Sequence, residues 1–389
     1  MNLYECDIHM YKIKEQPEDF IVKEVMDLKI KDQGPYAYFL LKKKNWTTLK
    51  AVEAVAEQLQ IDKKRFATAG MKDKYGITEQ YVGIKNFNLI KLKDVKLKDV
   101  EIKPLGYGNK RIGVGSQSSN HFIITVRNLD YALPTQSFIA NYYDDQRFGE
   151  IRPNTHLVGK AFLKRNYEEA MKIYLGKPFL TETPDHRAWR EQIEKHWGEF
   201  PTDVARGMYH ERRVLKILHY HPKAYVDAFR SLPKQLLTLF IQAYQSKLFN
   251  DILNSYIKKR YKEKLPIHTV VDDYTIPKIL YEEDKELELP MPGYTGYVKN
   301  PDIEEEIQKL MKQERMRATR FRFRGFPEIS SKSLMRKAFV PIKNLTIGPL
   351  ENDELHDKKY KQVLSFKVQK GSYATMVIKQ LYARSQNVQ

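Results

Sequence analysis

Gly70-Met71-Lys72-Asp73-Lys74-Tyr75-Gly76-Ile77-Thr78-Glu79-Gln80 is the densest polar run in this 389-residue chain. The small residues of Phe66-Ala67-Thr68-Ala69 lead into it, and Gln80 to Ile84 reads as a strand after it. A loop of this layout can present one carboxylate, Asp73, into a cleft. A lone loop aspartate is more often a cap or turn former. Here Lys72 and Lys74 surround it with positive charge, as a carboxylate nucleophile requires.

Working outward, Phe20–Val25 and Tyr36–Leu41 are β-branched or aromatic runs of strand length, separated by the Gly34-Pro35 turn. Thr47 or Thr48 can cap a helix in which Ala51, Val52, Val55, Ala56 and Leu59 recur on one side. Lys91-Leu92-Lys93-Asp94-Val95 is echoed by Lys96-Leu97-Lys98-Asp99-Val100, too short a repeat for a solenoid, and reads as a charged connector and strand. Gly106, Gly108, Gly113 and Gly115 punctuate a basic loop that matches neither GxGxxG nor GxxxxGK[ST]. From about Val158 to Thr346 the periods turn helical, best in Tyr167–Leu175 and Lys234–Lys264. The acidic runs at Glu282-Glu283-Asp284 and Glu304-Glu305-Glu306 read as solvated faces. Arg320-Phe321-Arg322-Phe323-Arg324 alternates strictly, so a strand is expected with guanidinium groups on one face. That face is either a charged exterior or a stripe that grips phosphate. Leu364, Phe366 and Val368 restore the strand pattern, and a helix is expected from Tyr373 to Ala383 with Ser372 as its cap. The last strand and helix resemble the first region, which implies one discontinuous domain interrupted by an insertion.

Composition bounds the class. Hydrophobic residues make up 42%, charged residues 30% and aromatics 12%, with 25 tyrosines, a globular mix of about two to three domains. No apolar run is long enough for a membrane helix, and residues 1–11 lack the basic-then-apolar layout of a leader. One cysteine, Cys6, permits no internal disulfide, which suits a reducing, cytoplasmic setting. With 67 Lys plus Arg against 49 Asp plus Glu, the net charge is +18. Neither a basic amphipathic helix nor a polybasic tail is present, so nucleic acid is the leading partner class rather than a membrane surface. A lysine- and glutamate-rich thermostable surface would carry such charge with no partner.

Five motifs decide among these readings. The Gly70–Gln80 run resembles the G-x-K-D-[RK]-x-[AG]-x-T-x-Q signature of the TruD family of tRNA pseudouridine synthases. Pro17-Glu18-Asp19-Phe20-Ile21-Val22 resembles the family's P-E-D-F-x-V, and Asn141-Tyr142-Tyr143-Asp144-Asp145-Gln146-Arg147-Phe148-Gly149 its N-Y-F-x-x-Q-R-F-G. Ala243-Tyr244-Gln245-Ser246-Lys247-Leu248-Phe249-Asn250 is similar to A-x-x-S-x-L-F-N, and Gly371-Ser372-Tyr373-Ala374-Thr375 to G-S-[FY]-A-T. They follow the family's order from residue 17 to residue 375. The compact, lysine-rich chain fits an archaeal-type member.

The resemblance implies an α+β fold. A pseudouridine-synthase domain with a mixed, mainly antiparallel sheet would comprise residues 1–159 and 347–389. A largely helical insertion domain over 160–346 would interrupt it, in a V whose cleft takes RNA. It implies conversion of a tRNA uridine, at position 13, to pseudouridine by a monomer, without cofactor, metal or membrane. The ten histidines show no HExxH or Cys/His ligand spacing. Asp73 would be the nucleophile, attacking ribose C1′ or helping to remove the C2′ proton. Lys72 would hold Asp73, with Arg147 competing for that part. Phe20 and Tyr373 match aromatic positions near the flipped nucleotide, and Asn141 one that hydrogen-bonds substrate. Tyr143 stands where bacterial relatives carry Phe and would stack on the base or transfer a proton. Separately from the resemblance, Arg320 and Arg322 would contact phosphates if the alternating arginine face is a gripping stripe rather than a charged exterior. The alternatives are an RNA-binding or RNA-folding protein that keeps the fold without the reaction, and an RNA methyltransferase, for which Gly34-Pro35 is a poor cofactor loop.

Overall fold

The computed structural model describes residues 11–113 and 115–387. Cys6 and most of the segment read against a leader lie outside them. In chain order the first elements are β1 (Phe20–Val25), β2 (Tyr36–Lys44), α1 (Thr48–Gln58), β3 (Phe66–Thr68), β4 (Ile77–Lys85), β5 (Val100–Gly108), β6 (Ser119–Leu129) and β7 (Phe138–Ala140). Helices α2 (Thr155–Leu163), α3 (Tyr167–Leu175), α4 (Pro184–Lys195), α5 (Tyr209–Tyr220), α6 (Tyr225–Arg230) and α7 (Lys234–Arg260) follow. Next come β8 (Lys264–His268), β9 (Asp273–Pro277), β10 (Glu288–Met291), α8 (Glu304–Gln313) and β11 (Leu334–Lys337). The chain ends with β12 (Phe339–Pro341), β13 (Lys343–Ile347), β14 (Glu351–Asn352), β15 (Tyr360–Gln369) and α9 (Ala374–Ser385).

The chain divides into two compact units, one running to Ile139 and resuming at Val340, the other spanning Ala140–Phe339. The expected divisions lay at 159/160 and 346/347. The earlier first crossing puts α2 in the second unit, because Val158, Ala161 and Phe162 bury against Phe240, Ile241 and Tyr244 of α7.

In the first unit a mixed, mainly antiparallel sheet runs β13-β15-β6-β1-β4-β2-β5, with β14 beside β15 and β3 beside β4. Helix α1 buries Ala51 and Val55 with Phe39, Leu41, Val82 and Ile84 of β2 and β4. Helix α9 buries Val377, Ile378 and Leu381 with Ile124, Leu364 and Phe366 of β6 and β15. The β1–β4 pair is parallel, in the register Ile21↔Ile77, Val22↔Thr78, Lys23↔Glu79. Parallel pairing aligns the starts of both strands, so the Pro17–Phe20 and Gly70–Gly76 segments meet at one end of the sheet. Strand β2 runs antiparallel to β4 and finishes at that same end, with Lys43↔Thr78 and Lys44↔Ile77. The meeting is close: Gly76 has φ +120°, and a Cβ there would lie 2.4 Å from the Phe20 carbonyl oxygen.

The second unit is helical around α7, with the short strand pairs β8–β9 and β10–β11. Gly159 lets α2 touch α7, since a Cβ would stand 2.0 Å from the Phe240 carbonyl oxygen. Three expectations change here and in α9. Arg320–Arg324 forms no strand: Ala318–Phe321 is a 3₁₀ turn closed by Arg320 N–H to Arg317 and Arg322 N–H to Thr319. With no partner strand the backbone bonds locally, while Phe321 and Phe323 still bury and the arginines stay exposed. Asp284 is a buried acceptor for the Tyr256 and Tyr261 hydroxyls, rather than part of a solvated face. Tyr373, not Ser372, is the N-cap residue of α9.

Candidate active site

The Asp73 loop is built by the elements that converge on it. Thr47 caps α1 by accepting the Lys50 N–H at 3.2 Å, which frees Thr48 for another task. Thr48 Oγ1 accepts the Lys72 N–H at 3.0 Å and donates to Gln80 Oε1 at 2.7 Å. Gln80 Nε2 reaches back to the Gly70 carbonyl at 3.4 Å. The Gly76 carbonyl accepts Asn45 N–H, and the Ala69 carbonyl accepts Gly115 N–H. The loop backbone is thus hydrogen-bonded at both ends and in the middle, a rigid mount for one carboxylate.

That carboxylate is 29% exposed, and Lys14 Nζ stands 3.4 Å from its Oδ1. The same ammonium lies 4.1 Å from the Phe20 ring centroid. Phe20, expected beside a flipped nucleotide, is instead buried to 2%, covered by Lys14 and edge-on to Phe122. The expected Lys72–Asp73 pairing is replaced as well. Lys72 turns inward, makes an ion-pair contact of 2.8 Å with Glu24 Oε1 and donates to Asn120 Oδ1 at 2.8 Å. Asp19 of the Pro17–Phe20 segment accepts two bonds from Arg127 Nε, each 3.0 Å, and one from its own turn at Gln16 N–H. Tyr373, half-buried, heads α9 in the same unit.

Asn141, Tyr143 and Arg147 form a second cluster, in the other unit. Arg147 Nε donates to Ser246 Oγ at 2.9 Å and Nη2 to Gln242 Oε1 at 3.3 Å, both on α7. Asn250 braces the Tyr143 backbone from both sides: Oδ1 accepts its N–H at 2.8 Å and Nδ2 donates to its carbonyl at 2.9 Å. The Tyr143 ring meets Phe249 edge-on, and its hydroxyl donates to Met291 Sδ at 3.2 Å. Arg336 covers that ring at 4.1 Å from the centroid and donates to Asn141 Oδ1 at 2.8 Å, while Asn141 Nδ2 donates to the Lys337 carbonyl at 2.9 Å. Asn141 is 2% exposed, so its amide first of all positions Arg336. Arg320 and Arg322 are exposed on this unit, where Arg320 Nη1 reaches the Lys164 carbonyl at 3.5 Å and Arg322 lies 6.0 Å from the Tyr294 ring.

The family profile described as tRNA pseudouridine synthase D (TruD) matches residues 3–381. The chain belongs to the TruD family. A Methanopyrus kandleri protein named "Probable tRNA pseudouridine synthase D" is 32% identical over 90% of this chain and 86% of its own. The tRNA pseudouridine synthase D of Aquifex aeolicus is 31% identical over 95% and 98%. The crystal structure of a TruD protein from Methanosarcina mazei superposes with a TM-score of 0.75 at 29% identity, covering 99% of this chain and 96% of that one. The TruD motifs therefore sit on the elements just described. Among the described residues, no group of three or more His, Cys, Asp or Glu is placed to hold a metal, and no helix is long and apolar enough to cross a membrane.

Three residues at these clusters lie outside the TruD motifs read from sequence: Lys14, Lys43 and Arg336. Lys14 and Arg336 carry no local signal. Lys43 had one, because Phe39, Leu41 and Lys43 share one face of a strand whose expected end was Leu41.

Proposed function

We propose that this protein isomerises uridine to pseudouridine in tRNA, at position 13, with Asp73 as the nucleophile. The observation that carries this reading is a single half-buried carboxylate, on a loop bonded by Thr48, Gln80, Asn45 and Gly115, with a cation 3.4 Å away. The target base leaves its stack, because its glycosidic carbon is covered within folded RNA. The N1–C1′ bond then breaks, with Asp73 either attacking C1′ or taking the C2′ proton. Uracil rotates, and the C5–C1′ bond forms as the Asp73–C1′ bond breaks or, on the other route, as the proton returns to C2′; C5 then loses its proton and N1 gains one, so substrate and product are isomers and no co-reactant is consumed. Lys14 keeps the carboxylate aimed. Tyr143 supplies a ring for the base, a contact worth about 1–3 kcal/mol. Its hydroxyl can serve in proton transfer once it leaves Met291, which is a weak acceptor. Tyr373 adds a second aromatic surface, and Arg320 and Arg322 pair with phosphates. The enzyme acts in the cytoplasm as a monomer.

Purified protein incubated with unmodified tRNA should produce a carbodiimide-dependent primer-extension stop for position 13. Asp73→Asn should remove the stop while tRNA binding changes little. A wild-type protein that binds tRNA and leaves no stop would refute the reading.

A further inference from the structure

Lys43 is a buried cation that the reaction as written does not use. Its side chain is 1% exposed on β2, between Thr78 of β4 and Val100 of β5. Its ammonium donates to two main-chain oxygens, Trp46 O at 2.6 Å and Asp73 O at 2.7 Å. Unlike Lys72, it has no carboxylate within ion-pair distance among the described residues. Burying an ammonium without an opposite charge is unfavourable, and a methionine or leucine would fill the same strand position at less cost. One of the two oxygens that compensate it belongs to Asp73 itself. Two charged hydrogen bonds from one nitrogen join the turn after β2 to the peptide that carries the catalytic side chain.

We infer that Lys43 is a positioning residue: it pins the Asp73 carbonyl to the Trp46 carbonyl and so fixes the direction in which the Asp73 carboxylate is presented. The inference rests on the reading of Asp73 as the catalytic group. The charged groups facing Lys43 are Asp73 and Lys72, both on the loop between β3 and β4, and Lys14 reaches the same carboxylate from the segment before β1. Thr78, Val100 and Trp46, which meet it from the strands and the turn, are uncharged. Burial pushes the Lys43 ammonium down to about 8, Lys72 pushes the same way and Asp73 opposes both. As pH rises through that value the two bonds lose their charge assistance and the loop loosens.

The test compares Lys43→Met and Lys43→Arg with wild type in single- and multiple-turnover assays on unmodified tRNA, across pH 6.5 to about 9. Lys43→Met should lower kcat about 100-fold, as expected for a misplaced catalytic group, with KM and tRNA affinity within about threefold. Lys43→Arg should recover at least a tenth of the lost rate. Wild-type kcat should decline on the alkaline side with a midpoint near pH 8, and the decline should vanish in Lys43→Met. Full activity in Lys43→Met, equal loss in kcat and affinity, or an alkaline limb that survives the substitution overturns the inference. Should Lys43→Met fail to fold by circular dichroism, the wild-type profile decides: a kcat flat to pH 9 overturns it. Asp73→Asn run in parallel separates the two claims. If it still turns over, the reading of Asp73 fails. If it is inactive while Lys43→Met is fully active, only the positioning role fails.

Discussion

Replacing Lys72 by methionine should destabilise the protein, through Glu24. The Glu24 side chain is 0% exposed, and its neighbours are the Lys72 ammonium at 2.8 Å from Oε1 and the Tyr81 N–H at 3.0 Å from Oε2. Lys72→Met fills the space of the lysine stem but leaves Glu24 a buried charge with one remaining donor. Breaking a buried pair from one side costs about 3–5 kcal/mol. Glu24→Gln removes that charge and keeps an acceptor for Tyr81. The double variant Lys72→Met/Glu24→Gln therefore leaves mainly Asn120 short of a donor, a loss of about 1–2 kcal/mol. The prediction is an inversion: the double variant is more stable than Lys72→Met alone, by about 1–4 kcal/mol. Urea unfolding followed by circular dichroism gives each value from its midpoint and slope. At about 2–4 °C per kcal/mol for a unit of this size, Lys72→Met should also melt roughly 6–20 °C lower. A cost for Lys72→Met below about 1 kcal/mol, together with additive single effects, would refute the pairing and return Lys72 to Asp73.

The remaining predictions follow from other buried groups. Arg127→Met strands Asp19 and Asp353, which Arg127 now holds at 3.0 and 2.8 Å, and should lower unfolding free energy in urea by about 3–5 kcal/mol; a loss under 1 kcal/mol counts against that network. Gly159→Ala drives a methyl against the Phe240 carbonyl and should destabilise the second unit by about 1–3 kcal/mol or more, seen as a lower melting midpoint; an unchanged midpoint contradicts the close crossing. Arg336→Met removes the donor to Asn141 Oδ1 and the cation over Tyr143, contacts each worth roughly 1–3 kcal/mol, and should reduce kcat/KM on tRNA about 30-fold; a change under threefold separates the cluster from turnover. Burial, helped by the Lys247 and Lys177 charges, pushes the His156 imidazole down to about 3. Because its folded value is depressed, its stability contribution is complete above the unfolded value near 6.5 and is lost as pH falls toward 3, by about 2 kcal/mol at pH 5. His156→Leu should flatten the stability profile between pH 6.5 and 5 by that amount, and an identical slope would show that His156 does not titrate between the two states.

Much of the architecture was legible because periodic burial leaves its mark in the residue order. Leu364, Phe366 and Val368 alternate, and β15 buries all three; Tyr167–Leu175 was placed to the residue. The Arg320–Arg324 alternation shows the limit of the same logic. Phenylalanine in and arginine out requires only alternating burial, which a 3₁₀ turn followed by extended chain also delivers, so the pattern reports exposure without reporting hydrogen-bond partners. Asp284 was misread for a related reason: an acidic run looks solvated until the distant tyrosines that donate to one of its members are known.

The motifs themselves carry more architecture than chemistry. Gly76 admits Phe20, Gln80 ties the Asp73 loop to Thr48 of α1, Asp19 anchors Arg127, Arg147 bonds Ser246, and Asn250 braces Tyr143. Motif residues far apart in sequence are paired in space, so a substitution in one unbalances another, and this mutual dependence is reason enough for them to occur together. The cations nearest the groups proposed to react, Lys14 at Asp73 and Arg336 over Tyr143, lie outside every motif read from the chain. A cation acts over several ångströms and can be delivered from more than one backbone position, so its placement leaves no spacing rule in the sequence. Lys43 lies between the two cases. Its strand alternation is visible in Phe39-Leu40-Leu41-Lys42-Lys43, but only the loop folded over it shows why an ammonium occupies a core position.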